Sequence, residues 1–307
     1  MKSLKNTGKT MIFHRENNQP GGSLLGHLWA SIAVTIILGI ICCGMYPLVI
    51  WGIGQVFFPV QANGSLIDKY GKYTTDDRQA VGSALIGQNF TAPGYFHPRP
   101  SSAGAGYDAT NSGGSNLGPL SDKLINGATN PATTQPTTQP ESLAFDGVRL
   151  RTIHYATDNS IPFKLYYVNT DGSRTLATPA DYKKYQNTDG SWNDVALVDA
   201  FPHPPNPTTQ PTLIAADFGT LIPGDAVTGS GSGLDPHISP ANAQIQAARV
   251  ADARKAPLDQ VKALIAQHTD GPDLGFLGDP GVNVLRLNIA LDAKYPIPAP
   301  PATQPSK

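Results

Sequence analysis

Between positions 17 and 67 the chain carries no Asp, Glu, Lys or Arg, and within that stretch 28–53 is almost continuously apolar. An uncharged apolar run of this length predicts a transmembrane helix. The step from Trp29 to Trp51 rises roughly 33 Å, close to a hydrocarbon core with its interfaces, and the two tryptophans fit an aromatic belt. A cleaved signal peptide has an apolar region of only about 7–15 residues, whereas this run is longer and continues through Pro47. Ile41 stands before Cys42 where a lipoprotein signal would have a small residue, so the cysteines read as membrane-buried.

Lys2, Lys5, Lys9 and Arg15 precede the run with one acid, while Lys69, Lys72 and Arg78 follow it among Asp68, Asp76 and Asp77. The positive-inside bias therefore favours a cytoplasmic N-terminus, and the rest of the chain, which has no second comparable run, is expected outside. Ser31, Thr35, Gly39 and Cys43 recur every four residues. Small side chains at that spacing resemble a helix-packing face, although Gly and Ser are common in membrane helices anyway. Pro47 lacks a backbone donor and is expected to kink the helix, a fault that neighbouring helices help to tolerate.

Beyond the run, 79–89 reads as a strand between turns, 93–118 as a long Gly, Pro, Ser and Asn loop, and 120–125 as a short helix. Thr-Gln-Pro repeats at 133–140, 208–211 and 303–305 read as linkers that cannot pack. The alternating runs 149–155 and 163–168, with Thr170-Asp-Gly-Ser173 and Thr188-Asp-Gly-Ser191 as turn signals, predict a β-rich insertion. After a glycine-rich turn at 228–237, Ser239-Pro240 supplies an N-cap and an N1 proline for a helix to about 254. Val261, Leu264 and Ile265 mark a second helix over 257–268. The stretch 282–291 fits either period: Leu285, Leu287, Ile289 and Leu291 alternate, while Val284, Leu287 and Leu291 align on a helix.

The architecture expected is α+β: a tail over 1–23, a membrane helix over 24–58, an extracytoplasmic domain in two parts at 59–126 and 223–295, the insertion over 127–222, and a disordered tail over 296–307. The apolar share of 40% is enough for a core, while 31 glycines and 28 prolines point to many turns. A net charge of -1 with 15% charged residues gives no electrostatic reason to expect nucleic acid. Cys42 and Cys43, the only cysteines, are neighbours and provide no disulfide framework.

Gly8-Lys9-Thr10 resembles the end of a P-loop, but Ser3 stands where the first glycine is needed and no strand precedes it. No Asp-Lys-Thr-Gly phosphorylation motif and no Gly-x-Ser-x-Gly elbow occurs, so neither an aspartyl-phosphate site nor that kind of hydrolase is expected. The histidines at 97, 154, 203, 237 and 268 lack zinc-site spacings, and no metal or catalytic residue is assigned. Asp235-Pro-His237 ends a glycine-rich turn before a helix, which capping and turn geometry explain. Two glycine-rich loops could present amides to an anion: Ser112, Gly113, Gly114, Ser115 and Asn116 in one, Gly229, Gly231 and Gly233 in the other. The plainer reading is that these glycines permit tight turns.

Met45-Tyr-Pro47, Gln61-Ala-Asn-Gly-Ser65, 82–88, Gly94-Tyr-Phe96 with Arg99-Pro100, 112–118, 229–240, and Gly275-Phe-Leu-Gly278 with Val282-Asn283 occur in an order that resembles the C subunit of the Kdp potassium-pumping ATPases. The resemblance covers 28–125 and 223–292. It implies one span, a cytoplasmic N-terminus, a soluble domain outside, and residence in the bacterial inner membrane. It also implies three partners: the channel-like A subunit that carries K+, the P-type ATPase B subunit, and the small single-span F subunit. The family description gives this subunit two jobs, stabilising the complex and raising the catalytic subunit's ATP affinity in a ternary complex. ATP is thus the one ligand the resemblance brings in, and topology opposes it, because a domain outside never meets cytosolic ATP. Assembly, or a cap over the potassium entrance, is the preferred role. A stand-alone anchored binding or structural protein is the alternative, and an extracytoplasmic enzyme ranks behind it. Nothing in the family accounts for the insertion.

Overall fold

The structure, a computed structural model, describes residues 23–129, 143–202 and 212–298. The Thr-Gln-Pro linkers and the N-terminal tail expected over 1–23, apart from Ser23, lie outside these residues. The chain divides into two compact units, Met1–Ala62 and Asn63–Lys307.

The first unit is one long helix, Leu24–Phe57, the only one among the described residues long and apolar enough to cross a membrane. It opens as α1 (Leu24–Gly39), where the Ser23 hydroxyl accepts from the Gly26 amide. It widens to i→i+5 bonding over Ile40–Met45 and closes as α2 (Tyr46–Phe57), followed by the single turn α3 (Pro59–Ala62). Pro47 sits just past the widened turn, in the first turn of α2. The chain stays right-handed helical at Gly39, Ile40, Met45 and Tyr46, so the missing donor is absorbed as a π-turn rather than a break. The π-turn also bears on the small-residue face. In an α-helix each four-residue step overshoots a full turn by about 40°, so a stripe at that spacing drifts around the helix. The wider turn brings Cys43 back toward the line of Ser31, Thr35 and Gly39. The Ser31 and Thr35 hydroxyls donate to the carbonyls of His27 and Ser31, both at 2.8 Å, so neither polar group needs water.

The second unit is α+β. Its elements are β1 (Leu66–Asp68), β2 (Ala80–Ser83), α4 (Asp122–Asn126), β3 (Ala128–Thr129), β4 (Leu143–Phe145), α5 (Gly147–Asp158), β5 (Lys164–Val168), β6 (Arg174–Leu176), α6 (Pro179–Tyr182), α7 (Asp194–Ala200) and β7 (Thr212–Ala216). They continue with α8 (Gly224–Val227), β8 (His237–Ile238), α9 (Pro240–Arg254), α10 (Leu258–Gln267), β9 (Thr269–Asp270), β10 (Gly281–Asn283) and α11 (Val284–Lys294). Among the described residues four small antiparallel sheets pair β1 with β2, β3 with β4, β8-β10-β9, and β6-β5-β7.

The main core lies between three helices. Ala243, Ala247 and Val250 give α9 a small face that packs on Val261, Leu264 and Ile265 of α10 and on Val284, Leu287 and Leu291 of α11, with Phe96 and Ile238 alongside. The ambiguous stretch 282–291 resolves into both periods in turn. Val282 pairs as strand with Ile238, and Asn283 then caps the helix by accepting from the Arg286 amide at 3.1 Å. Leu285 faces a separate cluster with Ile67 and Ala84.

Among the described residues of 127–222 helices stand beside the strands, and the run 149–155, expected as strand, is helix in α5. Gly147, Leu150, Ile153 and Ala156 are the buried residues of that helix, a spacing of three that outweighs the apparent alternation because it lets one helix face seal a core. That core adds Leu165, Leu197, Val198, Phe201 and Leu213 to Leu150 and Ile153. The pentapeptide Asn-Thr-Asp-Gly-Ser occurs at 169–173 and 187–191 and closes the same turn twice. In each, the asparagine amide donates to the serine carbonyl (2.9 and 2.8 Å) and the aspartate Oδ1 accepts from the serine amide at 2.9 Å. Gly172 and Gly190 take φ of +79° and +86°, where other residues are strained.

The long segment before α4 has little regular structure, yet side-chain amides on helices hold its backbone. Asn288 of α11 accepts from the Phe96 amide at 2.9 Å and donates to its carbonyl at 3.0 Å. Gln246 of α9 does the same for His97, at 2.7 and 3.1 Å. Buried backbone groups require partners, and here two amides replace a missing neighbouring strand. The buried Arg254 guanidinium adds bonds to the Gly94 and Tyr295 carbonyls, an ion pair with Asp292 at 2.9 Å, and stacking over Tyr95.

Candidate functional site

The two glycine-rich loops singled out in the sequence, 112–116 and 228–233, meet in space although they stand far apart in the chain. The Gly113 amide donates to Ser232 O at 2.9 Å, the Ser112 hydroxyl to the same carbonyl at 3.0 Å, and the Ser101 hydroxyl to Gly233 O at 2.6 Å. A Cβ on Gly114 would lie 2.9 Å from Gly231 O, and one on Gly229 would lie 3.0 Å from Pro100 O. These glycines thus allow backbones to touch. Asn116 takes φ of +55°, and Ser115 lines a neighbouring cleft of about 500 Å³ with Ser101, Phe145 and Arg151.

Arg99 ties the loops to the following turn. Its Nη1 meets Asp235 Oδ2 at 2.9 Å, and Nη2 and Nε donate to the carbonyls of Gly229 and Thr228 at 3.2 and 3.4 Å. The Tyr107 hydroxyl donates to Arg99 O at 2.7 Å, and burial, then the Asp235 charge, push its pKa far up, so it stays a donor. Burial would raise the Asp235 pKa, but hydrogen bonds from His237 and the Arg99 charge prevail and hold it below the usual carboxylate range. The helix N-terminus that could have received an anion is already occupied. The Asp225 carboxylate accepts from the Ser239 amide and hydroxyl at 2.7 and 2.8 Å and from the Asn242 side chain at 3.0 Å.

His237 lies between two carboxylates, with Nδ1 3.7 Å from Asp235 and Nε2 3.5 Å from Asp270. The Asp235 hydrogen bond first, against burial, raises its pKa. A raised folded-state pKa adds stability that is complete below about pH 6.5 and is lost as pH rises through the raised value. The gap in melting temperature between the parent chain and His237→Gln should therefore be widest near pH 6 and close at alkaline pH. With a half-exposed group it amounts to no more than about 1 kcal/mol. A gap that widens with pH would refute this account.

A cleft of about 470 Å³ opens beside the loops, lined among others by His97, Arg99, Tyr107, Arg151, His154 and Tyr155. One wall comes from α5, docked by the Tyr155 hydroxyl on Asn242 Oδ1 at 2.8 Å and by Arg249 on Asn159 at 3.1 Å. Its basic side chains have carboxylate partners: Arg151 grips Asp146 at 2.6 and 2.8 Å, and the His154 ring meets Asp194 at 2.8 Å. Among the described residues no group of three or more His, Cys, Asp or Glu could hold a metal ion. Sequence reasoning missed Asp225, Gln246, Asn288 and Arg249, whose partners lie too far along the chain for a local pattern to show them.

Among the described residues, one helix long and apolar enough to cross a membrane precedes an α+β body whose glycine loops bond to one another, the layout of a domain carried on a single apolar helix. The family model described as K+-transporting ATPase, c chain (KdpC) matches residues 28–146 and 206–293, covering both the apolar helix and the body. The chain belongs to that family. It is 40% identical over 269 residues to the potassium-transporting ATPase KdpC subunit of Mycobacterium tuberculosis, which spans 88% of this chain and 97% of that protein. The like-named protein of Caulobacter vibrioides is 40% identical over 277 residues (89% and 96%), and that of Koribacter versatilis 36% over 278 (91% and 98%). The family match leaves 147–205 between its two parts. That interval contains α5, β5, β6 and α7, and most of the second core.

Proposed function

We propose that this chain is the non-catalytic, single-span subunit of an ATP-driven potassium importer of the Kdp kind, and that it holds that complex together from the outer side of the inner membrane. The observation that carries this is the family match extending through both the apolar helix and the body. The excess of Lys and Arg before the helix supports a cytoplasmic N-terminus. The partners of this reading are the channel-like A subunit carrying K+, the P-type ATPase B subunit and the small F subunit. Assembly is favoured over raising ATP affinity. The glycine loops bond to each other, the nearby helix N-terminus holds Asp225, and a body outside the membrane does not meet cytosolic nucleotide.

Ser31, Thr35, Gly39, Cys43 and Pro47 mark the proposed packing face of the helix. A Cβ at Gly39 meets nothing within 4 Å, so Gly39→Leu leaves this helix intact and acts only on a helix packed against it. Detergent extraction of the tagged chain should recover the ATPase and channel-like subunits. Gly39→Leu should cut that recovery by roughly five- to tenfold, the equivalent of about 1–1.4 kcal/mol of close packing. Recovery of the parent chain alone would overturn the reading in favour of a stand-alone anchored protein.

A further inference from the structure

The connection from β9 to β10 carries a surface turn with apolar side chains that the body does not cover. The Asp273 amide donates to Leu277 O at 2.8 Å, the Leu277 amide returns to Asp273 O at 2.9 Å, and the Gly275 amide reaches Pro272 O at 3.0 Å. The turn is therefore closed by its own backbone bonds. It needs positive φ at Leu274 (+53°), Gly275 (+81°) and Gly278 (+89°), and leucine is disfavoured in that region. Leu274 is 85% exposed, Phe276 78% and Leu277 59%. A Cβ added at Gly271, Gly275 or Gly278 would meet nothing within 4 Å, so the glycines serve the turn's conformation and not packing against the body. Strain, a closed backbone turn and an uncovered Leu, Phe and Leu coincide at one place. Display of an aromatic side chain on such a turn lowers the ordering cost of binding and suits an interface anchor.

Asp273 and Asp279 flank these side chains, and no Lys or Arg occurs from 269 to 281. An anionic bilayer surface would repel this fringe, whereas an apolar pocket rimmed by basic groups complements it. We infer that the turn at 272–279 is a docking finger whose Leu274 and Phe276 enter an apolar, Lys- or Arg-rimmed pocket on the transport subunits of the complex. The inference rests on the function proposed above and adds a contact surface to it.

The test uses the full chain with Cys42→Ala and Cys43→Ala, labelled at Phe276→Cys with an environment-sensitive fluorophore. It is placed in nanodiscs of phosphatidylethanolamine and phosphatidylglycerol, alone and co-purified with the other subunits. Expected are a blue-shifted emission and roughly fivefold or greater protection from iodide quenching, only with the subunits present. Protection in lipid alone would assign the finger to the bilayer and overturn the pocket. Exposure in an assembled complex would overturn the finger and leave the proposed function standing, whereas failure of the subunits to co-purify with the parent chain would overturn both. Unlabelled Leu274→Ser with Phe276→Ser should lower subunit recovery about tenfold with an unchanged thermal melt. Unchanged recovery would likewise refute the finger.

Discussion

Replacing Asn288 with leucine is expected to destabilise the body by about 3 kcal/mol, although the two side chains are nearly the same size. Asn288 is 1% exposed, and its amide serves both backbone groups of Phe96, itself fully buried. Leucine leaves that N–H and that C=O without partners in the core, at about 1–3 kcal/mol each, offset in part by added apolar burial. For a body of this size the melting temperature should fall by about 6–12 °C, read by circular dichroism on the full chain in detergent. A leucine variant as stable as the parent would mean that the 93–97 segment is not held by these bonds.

The second large effect is expected at Gly233. It sits at φ of +67°, and a Cβ there would lie 2.6 Å from Gly113 O, 2.8 Å from Ala103 N and 2.9 Å from Ala103 Cβ. Two of these neighbours are backbone, which cannot swing aside. Gly233→Ala therefore combines a left-handed backbone penalty of about 1–2 kcal/mol with forced separation of the glycine loops. The bonds from Ser101 to Gly233 and from Gly113 to Ser232 go with it. A loss of about 3 kcal/mol or more is expected, with new protease cleavage within 101–118. Gly231→Ala, two residues away with nothing within 4 Å of its Cβ, should stay within about 0.5 kcal/mol of the parent. Equal effects at the two positions would show that loop contact is not what makes Gly233 necessary.

Local signals were readable along the chain where the responsible bonds are local. The Ser239-Pro240 start of α9, the period of α10 and the Asp-Gly turns at 169–173 and 187–191 each depend on residues within one or two turns of each other. The strand expected at 149–155 failed because a window of seven cannot separate alternation from a spacing of three when Leu150 and Ile153 satisfy parts of both. At 282–291 the deciding residue was Asn283, whose side chain caps a helix that periodicity alone left open. In sequence the glycine loops stand out for the amides they could offer to an anion. In the structure the Gly113 amide donates to Ser232 O across the loops and the Gly233 amide to Ser230 O within its own.

By itself the sequence determined the apolar span, the α+β character of the body beyond it and the capped helices, because each is written in periodicity, charge distribution or a short hydrogen-bonding pattern. Only the tertiary structure decided that Asn288 and Gln246 hold the Phe96–His97 backbone, that Asp225 occupies the start of α9, and that Arg99 and Asp235 join two distant loops. Those partners stand 14 to 192 positions apart. A residue's type states what bond it can make, but which buried group will need that bond is settled only when the chain has closed around it and water has left.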